Sequence, residues 1–339
     1  MARTDLASAT TWITSLVQRH PSGLTQAVAT RAGCSLAKAR RLVHQLTELG
    51  WLKRSGPINR PQFEAGPMRQ IVQRYPLQGL DEDRPWARDF APHFSLPAHV
   101  REMMQHAFTE LLNNAIDHSE GTQVAISLRQ TNNHAQLLVS DDGRGLFDKI
   151  REGFDIEDPA AAMLELSKGK LTSSPQRHTG RGLFFTSRLA DVFDLHANSH
   201  AFQHREWRES HWVQGKAMRQ SGSAVYLAIA LDTSRTLEQV MRSASLDGES
   251  YGFERTTLPL RLLTGEHVAL ESRSQARRVA ARLGQFKQAE LDFSGVERIG
   301  QGFADELFRV FARDQQQVEL QIRNASRNVA AMIAAVQAS

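Results

Sequence analysis

Glu110, Asn114 and Asp117 stand four and three residues apart, a helical spacing that projects all three side chains in nearly the same direction. A carboxylate and an amide at the border of a buried stripe can point into a cleft beside a core. Such a pair suits a water-activating base and a metal ligand. Downstream, Asp141-Asp142-Gly143-Arg144-Gly145 follows an apolar run. A carboxylate followed by two spaced glycines lets backbone pass close to a flat ligand while Asp141 accepts a hydrogen bond. Farther on, Thr179-Gly180-Arg181-Gly182-Leu183 opens a helical run from Phe184 to Val192. Glycines at a helix start present N–H groups and a positive dipole end to an anion, most naturally phosphate.

Regular elements must hold these groups. Val100, Met103, Met104, Ala107, Phe108, Leu111, Leu112, Ala115 and Ile116 repeat at helical spacing, so the first trio sits on a long helix packed on a core. Strands are expected over Gln123–Gln130, Ala135–Ser140 and Ser223–Ala230. Each glycine motif alone is common. The order is specific: E-x-x-x-N on a helix, two strands, D-x-G-x-G, a spacer, G-x-G and a last strand. Over roughly Leu96 to Leu231 it resembles the GHKL superfamily of ATPases, which includes gyrase, the heat-shock chaperone, histidine kinases and MutL.

The resemblance implies cofactors, ATP and Mg²⁺, and roles. Asn114 would hold the metal, with Asp117 beside it in the same box, and Glu110 would polarise the attacking water where hydrolysis occurs. Asp141 would bond the adenine amino group, with Gly143 and Gly145 letting the ring approach. Thr179, Gly180, Arg181, Gly182 and Leu183 would form the phosphate cradle. Residues 146–179 would be a mobile lid over the nucleotide. Lys168 and Lys170 would reach phosphates on closure or, as the simpler reading, be solvated loop lysines. His118 reads as a core histidine and His106 as structural. The histidines at 196, 200, 204 and 211, with Glu206 and Glu209, lie in a polar stretch joining two strands, and their spacing fits no compact zinc site.

The first 70 residues carry ten lysines and arginines against three acidic side chains, a surplus of seven. The whole chain is only +4, so the other 269 residues sum to −3. A basic segment on a mildly acidic body suggests a nucleic-acid module. Helices are expected over 6–20, 25–32 and 35–49, the last with Ser35 as N-cap and Leu36, Ala39, Leu42, Val43, Leu46 and Leu49 as its apolar set. A basic hairpin over 51–54 and 60–63 follows. Three helices and a hairpin resemble the winged helix-turn-helix family, which implies double-stranded DNA contacts from Lys38, Arg40, Arg41, His44, Lys53, Arg54 and Arg60. The alternative is a helical protein-docking domain with solvated charges. Cys34, at a helix start, reads as a structural thiol.

From Thr256 onward strands and helices alternate: strand-like 258–263, an Arg-rich helix from Ser272 through Arg282, strands at 289–293 and 318–322, and helices at 303–311 and 325–336. This predicts an α/β layer with parallel pairing. The run from Leu291 to Glu306 resembles STAS-like domains of unknown function that accompany such ATPases. It is also similar to anti-sigma antagonists, in which a serine at a strand-to-helix turn is phosphorylated by a GHKL kinase. Here the turn reads Gly300-Gln301-Gly302, and Ser294 is a poor substitute. Asp305 and Glu306 read as a dipole-favoured acidic pair near a helix start.

The expected fold is therefore α+β and multidomain: a winged helix over 1–70, a Bergerat-type α/β sandwich over 71–235, and a connector with an α/β STAS-like domain over 236–339. Apolar residues at 41% exclude a wholly disordered chain. The longest apolar run, Ala224 to Leu231, is too short to cross a bilayer. One cysteine and no secretory pattern after Met1 predict a reducing cytoplasm. The function expected is an ATP-binding regulator that binds DNA, switched by Mg-ATP binding and slow hydrolysis with Glu110 as general base. The alternatives are an anti-sigma-type or histidine-kinase-like kinase acting on a partner in trans, and a non-enzymatic protein with structural ATP. The expectation admits a homodimer and a protein partner for the STAS-like domain.

Overall fold

The computed structural model describes residues 6–57, 59–171, 180–207, 212–216, 221–264 and 269–338. It is a mixed α/β chain with several sheets. Contacts divide it into two compact units, residues 1–143 with 224–234, and residues 144–223 with 235–339.

The first unit begins with helices α1 (Leu6–Thr10), α2 (Ile13–Arg19), α3 (Leu24–Ala32) and α4 (Leu36–Glu48), then strands β1 (Leu52–Ser55) and β2 (Gln62–Ala65). The single helix expected over 6–20 is broken at Thr11 and Trp12. Here the Thr10 and Thr11 hydroxyls donate to the carbonyls of Ala7 and Ser8, a local pairing that competes with helical propagation. Gly33, at φ +58°, ends α3, and Ser35 Oγ caps α4 by accepting from Lys38 N. Ile13, Val17, Val28, Ala39, Leu46, Trp51 and Phe63 share one core. Leu36 and Leu49, expected in the apolar set, are exposed at the two ends of α4, beyond the reach of that core. The hairpin register pairs Leu52 with Ala65 and Ser55 with Gln62. Its second strand thus starts two residues later than expected, and ahead of it Arg60 N donates to the Pro57 carbonyl.

The same unit contains β3 (Arg69–Pro76), a strand the sequence reading did not anticipate, followed by a short irregular helical run over 83–93. Then come α5 (Ala98–His118), β4 (Gln123–Gln130) and β5 (His134–Asp141), and the chain re-enters with β9, most of Ser223–Ala230. β3, β4, β5 and β9 pair antiparallel in that order. Val124, Ile126, Leu128, Leu137 and Val139 are buried, as is the apolar stripe of α5 from Val100 to Ala115, and α5 packs on β5. Trp86 and Phe90 stack at 5.3 and 5.1 Å on Phe108 of that helix.

The second unit starts with α6 (Leu146–Phe154), α7 (Pro159–Lys168) and α8 (Gly182–Leu189). The polar stretch around the histidines is not a connection. It forms an antiparallel sheet of β6 (Val192–Ala197), β7 (His200–Arg205) and β8 (Trp212–Gln214), because Phe193, Leu195, Ala197, Ala201 and Phe202 supply a buried face. After α9 (Leu237–Arg242), strands β10 (Arg255–Pro259), β11 (Gln288–Asp292) and β12 (Glu319–Arg323) pair in parallel. Helices α10 (Arg273–Ala280), α11 (residues 301–314, with a π-helical turn) and α12 (Arg327–Gln337) complete this layer. The strand expected at 258–263 ends at Pro259 and continues as a 3₁₀ turn. The Arg-rich helix stops at Ala280, and Arg282 takes a left-handed φ of +61°.

Candidate nucleotide site

In the first unit, α5 carries Glu110 and Asn114 half-buried and Asp117 exposed, in the order expected from their spacing. Asn114 has a buried amide nitrogen with no hydrogen-bond partner among the described residues. A buried polar group without a partner costs free energy. Rotation of the amide exchanges nitrogen and oxygen, so this position can offer an oxygen to a cation, as an ATP-bound Mg²⁺ requires. The neighbouring carboxylates at the end of β5 differ in use. Asp142 accepts from Thr122 N, Thr122 Oγ1 and Gln123 N at 2.6–2.9 Å. Asp141 is the last residue of β5, paired with Val124, and its Oδ1 accepts from Gly143 N at 3.0 Å. Gly143 itself is pressed on the end of α5, where an added Cβ would sit 2.1 Å from the Ser119 carbonyl oxygen. Its glycine therefore has a packing reason beside the expected approach to adenine.

The bonds from Thr122 and Gln123 hold the Asp142 carboxyl below its ordinary range. Because the folded value is the lower one, the unfolded chain takes up the proton first on acidification. The stabilisation is present above the ordinary aspartate value and is lost as pH falls from there through the folded value. Asp142→Asn is expected to flatten the acid limb of the melting-temperature profile and leave the neutral-to-alkaline limb parallel to wild type. Thermal melts from pH 7 to pH 3 check this.

In the second unit, Gly145 has a φ of +88°, and a Cβ there would lie 2.6 Å from Asn198 Nδ2. Asn198, in the tight turn between β6 and β7, donates to the Arg144 carbonyl at 2.8 Å and accepts from Gly222 N at 3.2 Å. This clamp on the first glycine motif was missed in the sequence. Its only signal there is an asparagine in a two-residue turn, where the left-handed φ of +51° is tolerated. Gly180 has a φ of +67°, and its Cβ position meets the Leu171 backbone at 2.6 Å. Its carbonyl accepts from Lys170 N at 3.0 Å. Gly182 opens α8 directly after Arg181, as an anion-binding helix start requires. Leu183 follows half-buried in its first turn. Thr179 lies outside the described residues, as do Glu209 and His211.

The two lysines expected to be solvated are not. Lys168 is 1% exposed and forms an ion pair with Glu165, itself 6% exposed. Lys170 donates to the Gln285 carbonyl at 2.6 Å and lies 4.2 Å from the centre of the Phe286 ring. Burial lowers both ammonium pKa values. Arg188, in the last turn of α8, stacks on Phe184 at 3.5 Å and is pushed down to about 10 by burial.

Other expected residues fall in place without joining a site. His106 is half-buried, and burial lowers its pKa. His118 is half-buried too. His204 packs 5.1 Å from Trp212 and His200 6.0 Å from Phe147. Asp305 pairs with Arg273 and Arg309, and Glu306 with Arg277, so this acidic pair joins α11 to α10. The Ser294 hydroxyl is buried and donates to Asp292 at 2.7 Å. At the other end of the chain, Lys38, Arg40, Arg41, His44, Lys53, Arg54 and Arg60 are all exposed on α4 and the hairpin. Lys53 pairs with Glu64 across the strands at 3.0 Å. Cys34 is half-buried against the N-terminal core.

Comparison with known families gives two matches. Residues 78–201 match the histidine kinase-like ATPase domain. Residues 275–330 match the STAS-like domain of unknown function (DUF4325). No curated protein matches the chain. The first match spans Glu110, Asn114, Asp141 and both glycine motifs, and such a domain implies ATP binding. No helix among the described residues is long and apolar enough to cross a membrane.

Proposed function

We propose that this chain is an ATP-binding regulator of a Bergerat-type fold, in which Mg-ATP occupancy controls double-stranded DNA binding by an N-terminal winged helix. The observation that carries the nucleotide half is the buried, unpartnered amide nitrogen of Asn114 on α5, within the stretch that matches a histidine kinase-like ATPase domain. Asn114 would hold the Mg²⁺, with Asp117 beside it, and the metal would neutralise phosphate charge when bound. Asp141 accepts a hydrogen bond from the adenine amino group. Gly180, Arg181, Gly182 and Leu183 offer backbone N–H groups to phosphate at the start of α8. Glu110 accepts the proton of an attacking water at its carboxylate, and the chain's contribution to hydrolysis is mainly positioning and electrostatics.

The DNA half is supported by the seven-charge surplus of the first 70 residues and by the exposed basic side chains of α4 and the hairpin. In this reading α4 enters the major groove and the hairpin contacts the backbone. The STAS-like domain would receive a protein partner. An in-chain phosphoacceptor is disfavoured, since Ser294 is buried on Asp292 and the Gly300-Gln301-Gly302 turn has no hydroxyl.

Two measurements test the reading. Mg-ATP must raise the melting temperature, and no shift at millimolar ligand sinks the nucleotide half. DNA affinity must fall as salt rises, by roughly 0.9 log unit per log unit of salt for each phosphate contact. A flat salt response sinks the DNA half. Label from γ-labelled ATP appearing on an added protein partner would favour a kinase acting in trans.

A further inference from the structure

Helix α7 carries a buried charge pair that the nucleotide site does not use. Every residue from Ala161 to Lys168 is buried. The Lys168 ammonium, besides pairing with Glu165, donates to the carbonyls of Ala281 at 2.7 Å and Arg278 at 3.4 Å. Those carbonyls end α10 of the STAS-like domain, where a lysine satisfies groups that no helical N–H can reach. Arg282 stands 3.8 Å from the other Glu165 oxygen. The Lys168 carbonyl in turn accepts from the buried Thr256 hydroxyl of β10 at 2.8 Å.

The next residues continue the attachment. At Gly169, with a φ of +78°, a Cβ would meet Phe253 Cζ at 2.5 Å. Lys170 is held by Gln285 and Phe286 through its side chain, while its backbone N–H donates to Gly180. Arg181 lies 5.2 Å from the centre of the Phe253 ring. Thus the second glycine motif is one hydrogen bond from a strap anchored on the STAS-like domain. Both lysines of this strap are committed to a carboxylate, carbonyls and rings. A cavity of about 530 Å³ beside α7, lined by Phe154, Ile156, Leu164, Arg278 and Arg282, leaves room for the helix to move.

We propose that the STAS-like domain latches α7 through the Glu165–Lys168 pair and Thr256, withholding this segment from the nucleotide so that release of the latch strengthens ATP binding. The latch rests on the ATP-binding reading above. It makes the STAS-like layer an autoinhibitory element: whatever loosens α7 from α10 raises nucleotide occupancy. The coupling is reciprocal, so nucleotide binding must loosen α7 in the same measure.

The test uses the full chain, amide hydrogen exchange over residues 160–168, and titration with Mg²⁺ and a non-hydrolysable ATP analogue. Glu165→Gln keeps the shape and removes the charge that holds Lys168. It is expected to speed exchange in α7 and tighten analogue binding by more than about tenfold, within the usual range of coupling between sites. Thr256→Val is the milder variant, expected to tighten binding about fivefold, roughly the worth of one hydrogen bond. Faster exchange with unchanged affinity overturns the latch, and so does unchanged exchange in both releasing variants. Failure of every form, wild type included, to bind the analogue removes the ATP reading and the latch with it. That outcome is distinct from equal binding by all forms, which removes the latch alone.

Discussion

Asn114→Ala is expected to abolish the Mg²⁺-dependent part of nucleotide binding while leaving the fold intact. The side chain is half-buried at the rim of the α5 stripe, and its amide nitrogen has no partner among the described residues. Its removal strands no partner of the amide nitrogen, so the expected stability cost is small. Binding is another matter, because a metal ligand has no substitute on alanine. With ligand at 100 times the wild-type dissociation constant, the native state gains about 2.7 kcal/mol. If affinity falls about 100-fold, the same ligand concentration gives only about 0.4 kcal/mol. A thermal-shift series with Mg-ATP, repeated with ATP and excess EDTA, reads this directly. Equal Mg²⁺-dependent shifts in the variant and wild type would rule out Asn114 as the ligand.

Lys168→Met is expected to be the most destabilising conservative substitution in the second unit. It strands the Glu165 carboxylate at 6% exposure, with Arg282 at 3.8 Å as its remaining cation among the described residues. It also frees the carbonyls of Arg278 and Ala281. Breaking one half of a buried pair costs about 3–5 kcal/mol. Replacing both charges, Glu165→Leu with Lys168→Met, removes the stranded ion, and apolar pairs of similar volume are often neutral or stabilising. Urea unfolding of wild type, the single and the paired variant should therefore rank the single variant far below the other two. A single variant within about 1 kcal/mol of wild type would mean that the pair is not buried as described.

Much of the site-bearing framework was legible because its signals are local. The stripe from Val100 to Ile116 has one period, Ser35 has the right side chain for a cap, and Gly33 and Gly180 stand where the backbone turns left-handed. The parallel layer after Thr256 followed from alternation. What escaped was set by distant partners. β3 carries Gln70, Gln73 and Arg74 between its apolar residues and becomes a strand through its register with β4. In β6 and β7 the buried Phe193, Leu195 and Phe202 alternate with histidines and acids that masked the period. Lys168 looked like a solvated loop lysine because no local pattern announces a carbonyl 113 residues away. Asn198 was silent for the same reason, since its partners Arg144 and Gly222 come from other segments.

The docking of the N-terminal helices on β3 bears on solubility. β3 pairs on one side with β4, and on the other its Gln70 N–H donates to Thr14 Oγ1 of α2 at 3.1 Å. An open strand edge invites pairing with another chain, and Val72 already exposes an apolar side chain there. The N-terminal helices therefore act as an edge cover at this position. A chain cut at Gly66 would leave the outer edge of β3 uncovered, and its first defect would be self-association.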